Sequence, residues 1–182
     1  LRSLFVGFET LSPGNLREHA KLQNLGRDYD ECVRRLHDLG VMINGSFVFG
    51  MDDDGPDVFE KTVEWAVTQG IETATFHIMT PYPDTALFAR IQAEGRLLHR
   101  NWDLYDGQHV VFQPKRMSVE ELEEGHRAAW RHTYSHASIV RRIASSRTQI
   151  PISIAANLGY RFYGRNLDRY YNCDWYMGRD AN

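Results

Sequence analysis

Cysteine is almost missing from this chain. Cys32 and Cys173 are the only two in 182 residues. They lie far apart, and neither has a CxxC or Cys/His spacing beside it. That excludes a disulfide framework and a local zinc knuckle, and it fits reduced thiols in a cytoplasmic protein. Proline is scarce as well, with six residues, and there is no low-complexity segment and no internal repeat. No apolar run is long enough for a membrane span, and no signal-peptide pattern is present. An excess of positive charge is also lacking: 21 Lys and Arg stand against 24 Asp and Glu, for a formal net charge of −3. Nucleic acid is therefore not expected as a bulk electrostatic partner. There is no G-x-G-x-x-G, so no dinucleotide fingerprint. Nor is there a Met at position 1; the chain opens on Leu1 and enters an apolar stretch at once.

What is present is an ordinary globular composition, 42% hydrophobic and 25% charged, enough for one domain with a real core. The most informative stretch is Gly40–Pro56, GVMINGSFVFGMDDDGP. Its apolar residues alternate and then run together, as in a buried strand of about Met42–Phe49. The acidic cluster Asp52-Asp53-Asp54 and then Gly55-Pro56 follow, reading as a loop that opens a helix over about Pro56–Gln69, capped by Asp54 or Gly55. Phe59, Val63, Ala66 and Val67 form the inward stripe of that helix.

The flanks repeat this pattern. Ser3–Phe8 reads as a strand, and Leu16–Leu22 as a short helix. Tyr29–Leu39 is a helix with Asp28 as N-cap, Glu31 as its capping-box partner and Gly40 as its stop. Thr73–Met79 is a third strand. It ends in the turn Thr80-Pro81-Tyr82-Pro83-Asp84-Thr85, which leads into a helix over Ala86–Glu94. Strand–helix alternation implies parallel strands with right-handed crossovers. Three parallel strands make a poor domain alone, so the sheet is expected to be completed by a partner chain or by more of the same polypeptide. An exposed apolar edge along Leu4–Phe8, prone to association, follows from that expectation.

Beyond Gly95 the texture changes. Trp102 and Tyr105 mark an aromatic loop, read as packing, and His109–Phe112 a short edge strand. Ser118 and Glu121 form a capping box for one long helix over about Val119–Ile143. Its stripe includes Leu122, His126, Ala129, Trp130, Thr133 and Tyr134. His132 and His136, four apart, read as a solvated face ahead of a metal pair, and the arginines from Arg131 to Arg147 as a solvated face. Ile150–Tyr163 is a further helix. The expected organisation is a half barrel over 1–98, a mostly helical extension over 99–165 and a poorly ordered tail over 166–182.

Parallel α/β folds bind ligands at the carboxyl ends of their strands. Three loops meet there: Glu9-Thr10, Asp52-Asp53-Asp54 and Thr80–Thr85. Asp52, nearest the strand end, is the best candidate of its triplet. Asp53 and Asp54 divide evenly between a ligand role and helix capping. Gly45 and Gly50 either admit a flat ligand against the backbone or pack beneath a helix. His77, inside the third strand, reads as a satisfied core histidine.

Together these segments resemble the radical S-adenosylmethionine (SAM) superfamily, in its cobalamin-associated branch. Val6-Gly7-Phe8-Glu9-Thr10 is similar to the G-[IVF]-E-[ST] strand end of that family. Ser46–Asp52 is similar to its next strand, and Thr80–Thr85 to its T-P-x-P-G-T turn. Asp84 replaces the usual glycine, which is expected to distort that turn. The resemblance covers about Leu4–Arg165. It implies an α/β fold, a partial parallel (β/α) barrel of which this chain holds three βα units, followed by a helical carboxyl-terminal extension. It implies SAM across the strand ends, with Glu9 and Thr10 facing its ribose or methionine part. Lys21 or Asn24 would hold the methionine carboxylate. Phe47, Val48 and Gly50 would lie near adenine, Asp52 at the edge of the site, and Met79 and Pro81 against the adenine edge.

The activity so implied is reductive cleavage of SAM by a 4Fe-4S cluster, starting radical chemistry and, in this branch, cobalamin-dependent methyl transfer to a small-molecule substrate. The family's C-x-x-x-C-x-x-C cluster motif is absent, and three closely spaced thiolates are needed. The chain therefore reads as the carboxyl-terminal part of such an enzyme. The missing amino-terminal half of the barrel, or a partner chain supplying it, would hold the cluster and any cobalamin domain. Two readings from other classes stand beside this one: a non-catalytic nucleotide-binding or interaction half-barrel, and a metal-dependent hydrolase using Asp52 and histidines.

Overall fold

The structure is a computed structural model that describes residues 2–18, 28–146 and 148–167. Its elements run β1 (Ser3–Glu9), α1 (Pro13–Glu18), α2 (Tyr29–Asp38), β2 (Met42–Phe49), α3 (Val58–Thr68), β3 (Thr73–Ile78), α4 (Ala86–Ala93), α5 (Val119–Thr133), α6 (His136–Ser146) and α7 (Ile150–Arg165). The three strands form one parallel sheet in the order β1-β2-β3. This is the expected partial (β/α) barrel followed by helices.

Strand parity divides the sheet into two faces. On the outer face, Phe8, Phe47 and Phe76 stack across the three strands, with ring centroids 5.5 and 5.8 Å apart. Trp65 of α3 meets Phe8 and Phe47 edge-on. Phe49 packs against Phe59 of the same helix. This aromatic layer is the core, and it uses the inward stripe read from the α3 sequence: Phe59, Val63, Ala66 and Val67 are all buried. The inner face is more polar, carrying Asn44, Ser46, Thr75 and His77.

The two sheet edges differ. At β3 the free backbone groups are taken by side chains and a loop. The Tyr134 hydroxyl accepts from Ala74 N at 2.9 Å and donates to Ala74 O at 2.7 Å. Arg142 donates to Ile71 O and Glu72 O, Asn157 donates to Glu72 O, and Ile78 N donates to Gly107 O. Buried backbone polar groups need such partners, so α5, α6 and α7 terminate the sheet here. Among the described residues, β1 pairs only with β2. Along β1, Leu4 and Val6 are half-buried and Phe8 is buried. The large apolar side chain that it exposes is Phe5, at 63%.

Several expectations need correction. The long helix over Val119–Ile143 is two helices, broken at Tyr134-Ser135, because Tyr134 turns in to bind Ala74 and stack on Trp130. Arg142 does not belong to a solvated face. It is fully buried, bonded to three backbone carbonyls and to Asn157 Oδ1. The stripe read for that helix holds: Leu122, His126, Ala129, Trp130, Thr133 and Tyr134 are all buried. His126 Nε2 lies 3.0 Å from Phe76 O, and burial pushes its pKa down to about 4. Neither Asp54 nor Gly55 caps α3; Asp57 holds the N-cap position without a side-chain capping bond. His109–Phe112 forms no strand, only an isolated bridge between Leu97 and Phe112. The Asp84 turn is not distorted: Asp84 adopts φ 63°, the left-handed conformation that glycine would supply. Thr85 then caps α4 by accepting from Phe88 N. The tail expectation concerns residues that lie, from 168 onward, outside the described ones.

Candidate functional site

The carboxyl ends of the three strands surround a cavity of about 480 Å3. Glu9 and Thr10 reach it from β1, Val48 from β2, and His77, Ile78, Met79 and Thr80 from β3 and its following turn. Asn15 and Leu16 of α1, and Asp106-Gly107 of the aromatic loop, close its sides.

Glu9 has an unusual backbone. Its φ is 65°, and the β1–β2 register shifts between Gly7 and Glu9. A non-glycine residue in the left-handed region carries strain, which accumulates at functional sites. The kink folds the carboxylate back over Gly7, where a Cβ would lie 2.7 Å from Glu9 Oε1. Gly7 leaves that carboxylate room in this rotamer.

A buried polar staple ties the loop after β1 to the loop after β2. Asp54 Oδ2 accepts from Gly50 N and Met51 N, and Oδ1 accepts from Asn15 Nδ2 at 2.6 Å. Asn15 Oδ1 accepts from Asp53 N, and its amide reaches Thr10 Oγ1. Burial raises the Asp54 pKa to about 6 against these hydrogen bonds. Asp53 bonds Ser12 and Arg116. Asp52 is held by Arg96 at 2.8 Å, Lys115 at 2.7 Å and Arg90 at 3.0 Å. The acidic triplet thus has three separate jobs, all of them met within the protein.

His77 sits across from Val48 in the β2–β3 register and faces the cavity. Gln108 Nε2 approaches its Nδ1 at 3.2 Å. An amide nitrogen can only donate, so Nδ1 accepts and the neutral ring carries its hydrogen on Nε2. Burial lowers the His77 pKa, with the Glu9 charge opposing. Gly107, at φ 79°, lets the loop approach the ring: its Cβ position is 3.7 Å from Nδ1.

Of the residues assigned from the sequence, the cavity collects Glu9, Thr10, Val48 and Met79. Phe47 points to the opposite face and is fully buried in the aromatic layer. Gly50 has φ 91°, with Leu122 2.8 Å from its Cβ position. It is a packing glycine that also donates to Asp54. Asp52 and Pro81 are buried outside the cavity lining. Lys21 and Asn24 lie outside the described residues. His77, Asn15 and Asp106 went unrecognised. Strand parity could have found His77, since it shares a face with Met79; nothing local marks Asn15 or Asp106. Tyr105 packs as expected, buried with its hydroxyl donating to His99 O. Among the described residues, no three His, Cys, Asp or Glu side chains are grouped to hold a metal. Their one cysteine, Cys32, is exposed.

The parallel sheet, with a cavity at its strand ends and a kinked β1 terminus, defines a class: a partial (β/α) barrel whose sheet is closed off at β3 and whose β1, among the described residues, pairs only with β2. A family model described as a domain of unknown function, DUF4070, matches residues 85–179, and the chain belongs to that family, a domain of the cobalamin-associated radical SAM methyltransferases. The chain is 34% identical over 138 residues to the bacteriochlorophyllide d C-12(1)-methyltransferase of Chlorobaculum tepidum, a match covering 76% of this chain and 30% of the relative. It is 31% identical over 97 residues to the hopanoid C-2 methylase of Rhodopseudomonas palustris, covering 53% and 18%. It is 23% identical over 104 residues to an anaerobic magnesium-protoporphyrin IX monomethyl ester cyclase of Cereibacter sphaeroides, covering 57% and 17%. The chain thus spans less than a third of the length of these relatives.

Proposed function

We propose that this chain supplies the SAM-binding carboxyl-terminal part of the barrel of a radical SAM methyltransferase. The observation that carries the reading is the cavity, where Glu9-Thr10, Val48 and Met79-Thr80 converge from three successive strand ends. The residues fit the nucleoside end of SAM. The Glu9 carboxylate, over a glycine that leaves it room, suits a ribose diol. Val48, Met51 and Met79 offer an apolar wall for a base. When bound, SAM and a reduced cluster supply a carbon-centred radical, and cobalamin a methyl group. The described residues do not fit the cluster, so it would be held elsewhere in a longer polypeptide or by a partner chain. What this chain does is bind, orient and exclude water: Glu9 holds the diol, the Asp54–Asn15 staple fixes the loops, and the Asp106–Gln108 loop covers the site.

The same reading assigns 1–98 to the barrel and 99–165 to the extension that closes it at β3. Among the described residues, no helix is long and apolar enough to cross a membrane.

The test uses the intact polypeptide with its cluster reconstituted, with SAM affinity measured by equilibrium dialysis. Glu9→Ala is expected to weaken SAM by about tenfold, the scale of one charge-assisted hydrogen-bond pair. Val48→Trp is expected to abolish binding by filling the cavity. Unchanged affinity in both variants, or no SAM binding by the wild type, would overturn the reading.

A further inference from the structure

Two histidines are held against β3 in different ways. His126, from α5, lies deep in the core, and its Nε2 is 3.0 Å from Phe76 O and 3.2 Å from Trp130 Nε1. His77 is on the strand itself, half-buried, with its ring lining the cavity. Gln108 takes its Nδ1, and among the described residues no protein group bonds its Nε2. The Asn15 amide and the Thr80 hydroxyl also line the cavity, but they donate within the protein, to Asp54 and Thr10 and to Ile78 O. A half-buried N–H without a protein acceptor costs free energy unless water or a ligand receives it.

The loop over residues 106–109 is built around this ring. Ile78 N donates to Gly107 O at 2.7 Å, which fastens the loop to β3 next to His77. Gly107 takes φ 79°, a left-handed turn open to glycine. Asp106 Oδ1 accepts from Gln108 N at 2.8 Å and from His109 N at 3.2 Å. From that fixed turn the Gln108 amide reaches back to Nδ1 at 3.2 Å and sets both the ring's orientation and its tautomer. A histidine that only fills a core needs no such support. A donor aimed at a ligand gains from it, because the ligand then does not have to order the ring.

The surroundings select the acceptor. Nε2–H offers one donor and no charge, and burial favours that neutral form. A carboxylate would call for a cation instead. Val48 is the register partner of His77, and Met79 follows two residues on along the same face. The ring therefore stands at the apolar wall assigned to the base, where the uncharged acceptors are the ring nitrogens of a purine. We propose that His77 reads the base: its Nε2–H donates to a purine ring nitrogen of the bound nucleoside, with Gln108 as its positioning residue. The proposal rests on the SAM reading of this cavity and adds to it the residue that selects the base.

Equilibrium dialysis of the intact, cluster-reconstituted polypeptide against S-adenosylhomocysteine and its 1-deaza, 3-deaza and 7-deaza analogues tests this. Each analogue replaces one ring nitrogen by C–H. In the wild type, one of the three should bind on the order of tenfold more weakly than the parent, the scale of a donor left without its acceptor. In His77→Phe the parent should fall to the affinity of that analogue, so that the difference between them vanishes. In Gln108→Leu the difference should shrink, whereas a merely structural loss would weaken parent and analogue equally. Should His77→Phe fail to fold, nitrogen-15 NMR of the histidine-labelled wild type decides: the His77 Nε2 signal should move further downfield with the parent than with the weakened analogue, and equal shifts overturn the proposal. Equal affinity for the parent and all three analogues in the wild type also overturns it, as does a difference that persists in His77→Phe. Those results leave the SAM reading standing, because the parent still binds. A wild type that does not bind S-adenosylhomocysteine would overturn that reading and the proposal with it.

Discussion

Gln108 and His77 form a pair in which a loop residue sets the tautomer of a strand residue: the amide nitrogen lies 3.2 Å from Nδ1 and leaves the ring hydrogen on Nε2. Nitrogen-15 NMR of histidine-labelled protein should show His77 as the neutral Nε2–H tautomer at pH 7. Its titration midpoint should lie below the ordinary histidine value, since burial disfavours the cation more than Glu9 favours it. Gln108→Leu should release the ring to a mixture of tautomers. A dominant Nδ1–H form in the wild type would refute the pairing.

Glu9→Gly should separate stability from binding. The substitution removes a side chain from a φ of 65° and relieves about 1 kcal/mol of backbone strain. Urea denaturation should therefore show no loss of stability or a small gain, while SAM affinity falls as it does for Glu9→Ala. A large destabilisation would mean that the carboxylate is structural.

Two helical glycines should respond with opposite sign to alanine. At Gly125 in α5, a Cβ would meet the Phe59 ring at 2.2 Å, whereas at Gly159 in α7 it would meet nothing within 4 Å. Gly125→Ala should cost about 1–3 kcal/mol through overpacking. Gly159→Ala should gain about 0.5–1 kcal/mol through helix propensity. Thermal or urea melts of the two variants decide it.

Asp54 should make the protein less stable as pH rises. Its folded pKa, about 6, lies above the ordinary value of 3.8, so the folded state holds more protons between the two. The stabilisation is fully present below pH ~4 and is lost as pH rises through about 6. A shift of this size corresponds to about 2–3 kcal/mol. Asp54→Asn should flatten that segment of the stability profile. If the variant and wild type show parallel profiles between pH 4 and 7, another group is responsible.

The sequence by itself determined the βα alternation, the three strands within a residue or so, the α3 core stripe, the caps at Asp28 and Ser118, the turn over Thr80–Thr85, and the three loops that meet at the strand ends. These follow from local periodicity and turn chemistry, which act over a few residues. Tertiary structure alone decided which polar groups are spent on architecture. Asp52 meets Arg96 and Lys115, Asp54 meets Asn15, and Arg142 meets carbonyls as far away in sequence as Ile71. A charged side chain looks the same in sequence whether solvated or buried; only its distant partners offset the cost of desolvation. His77 was hidden for the same reason. Strand parity and helical period show which residues share a face, but not whether that face looks into a cavity or a core.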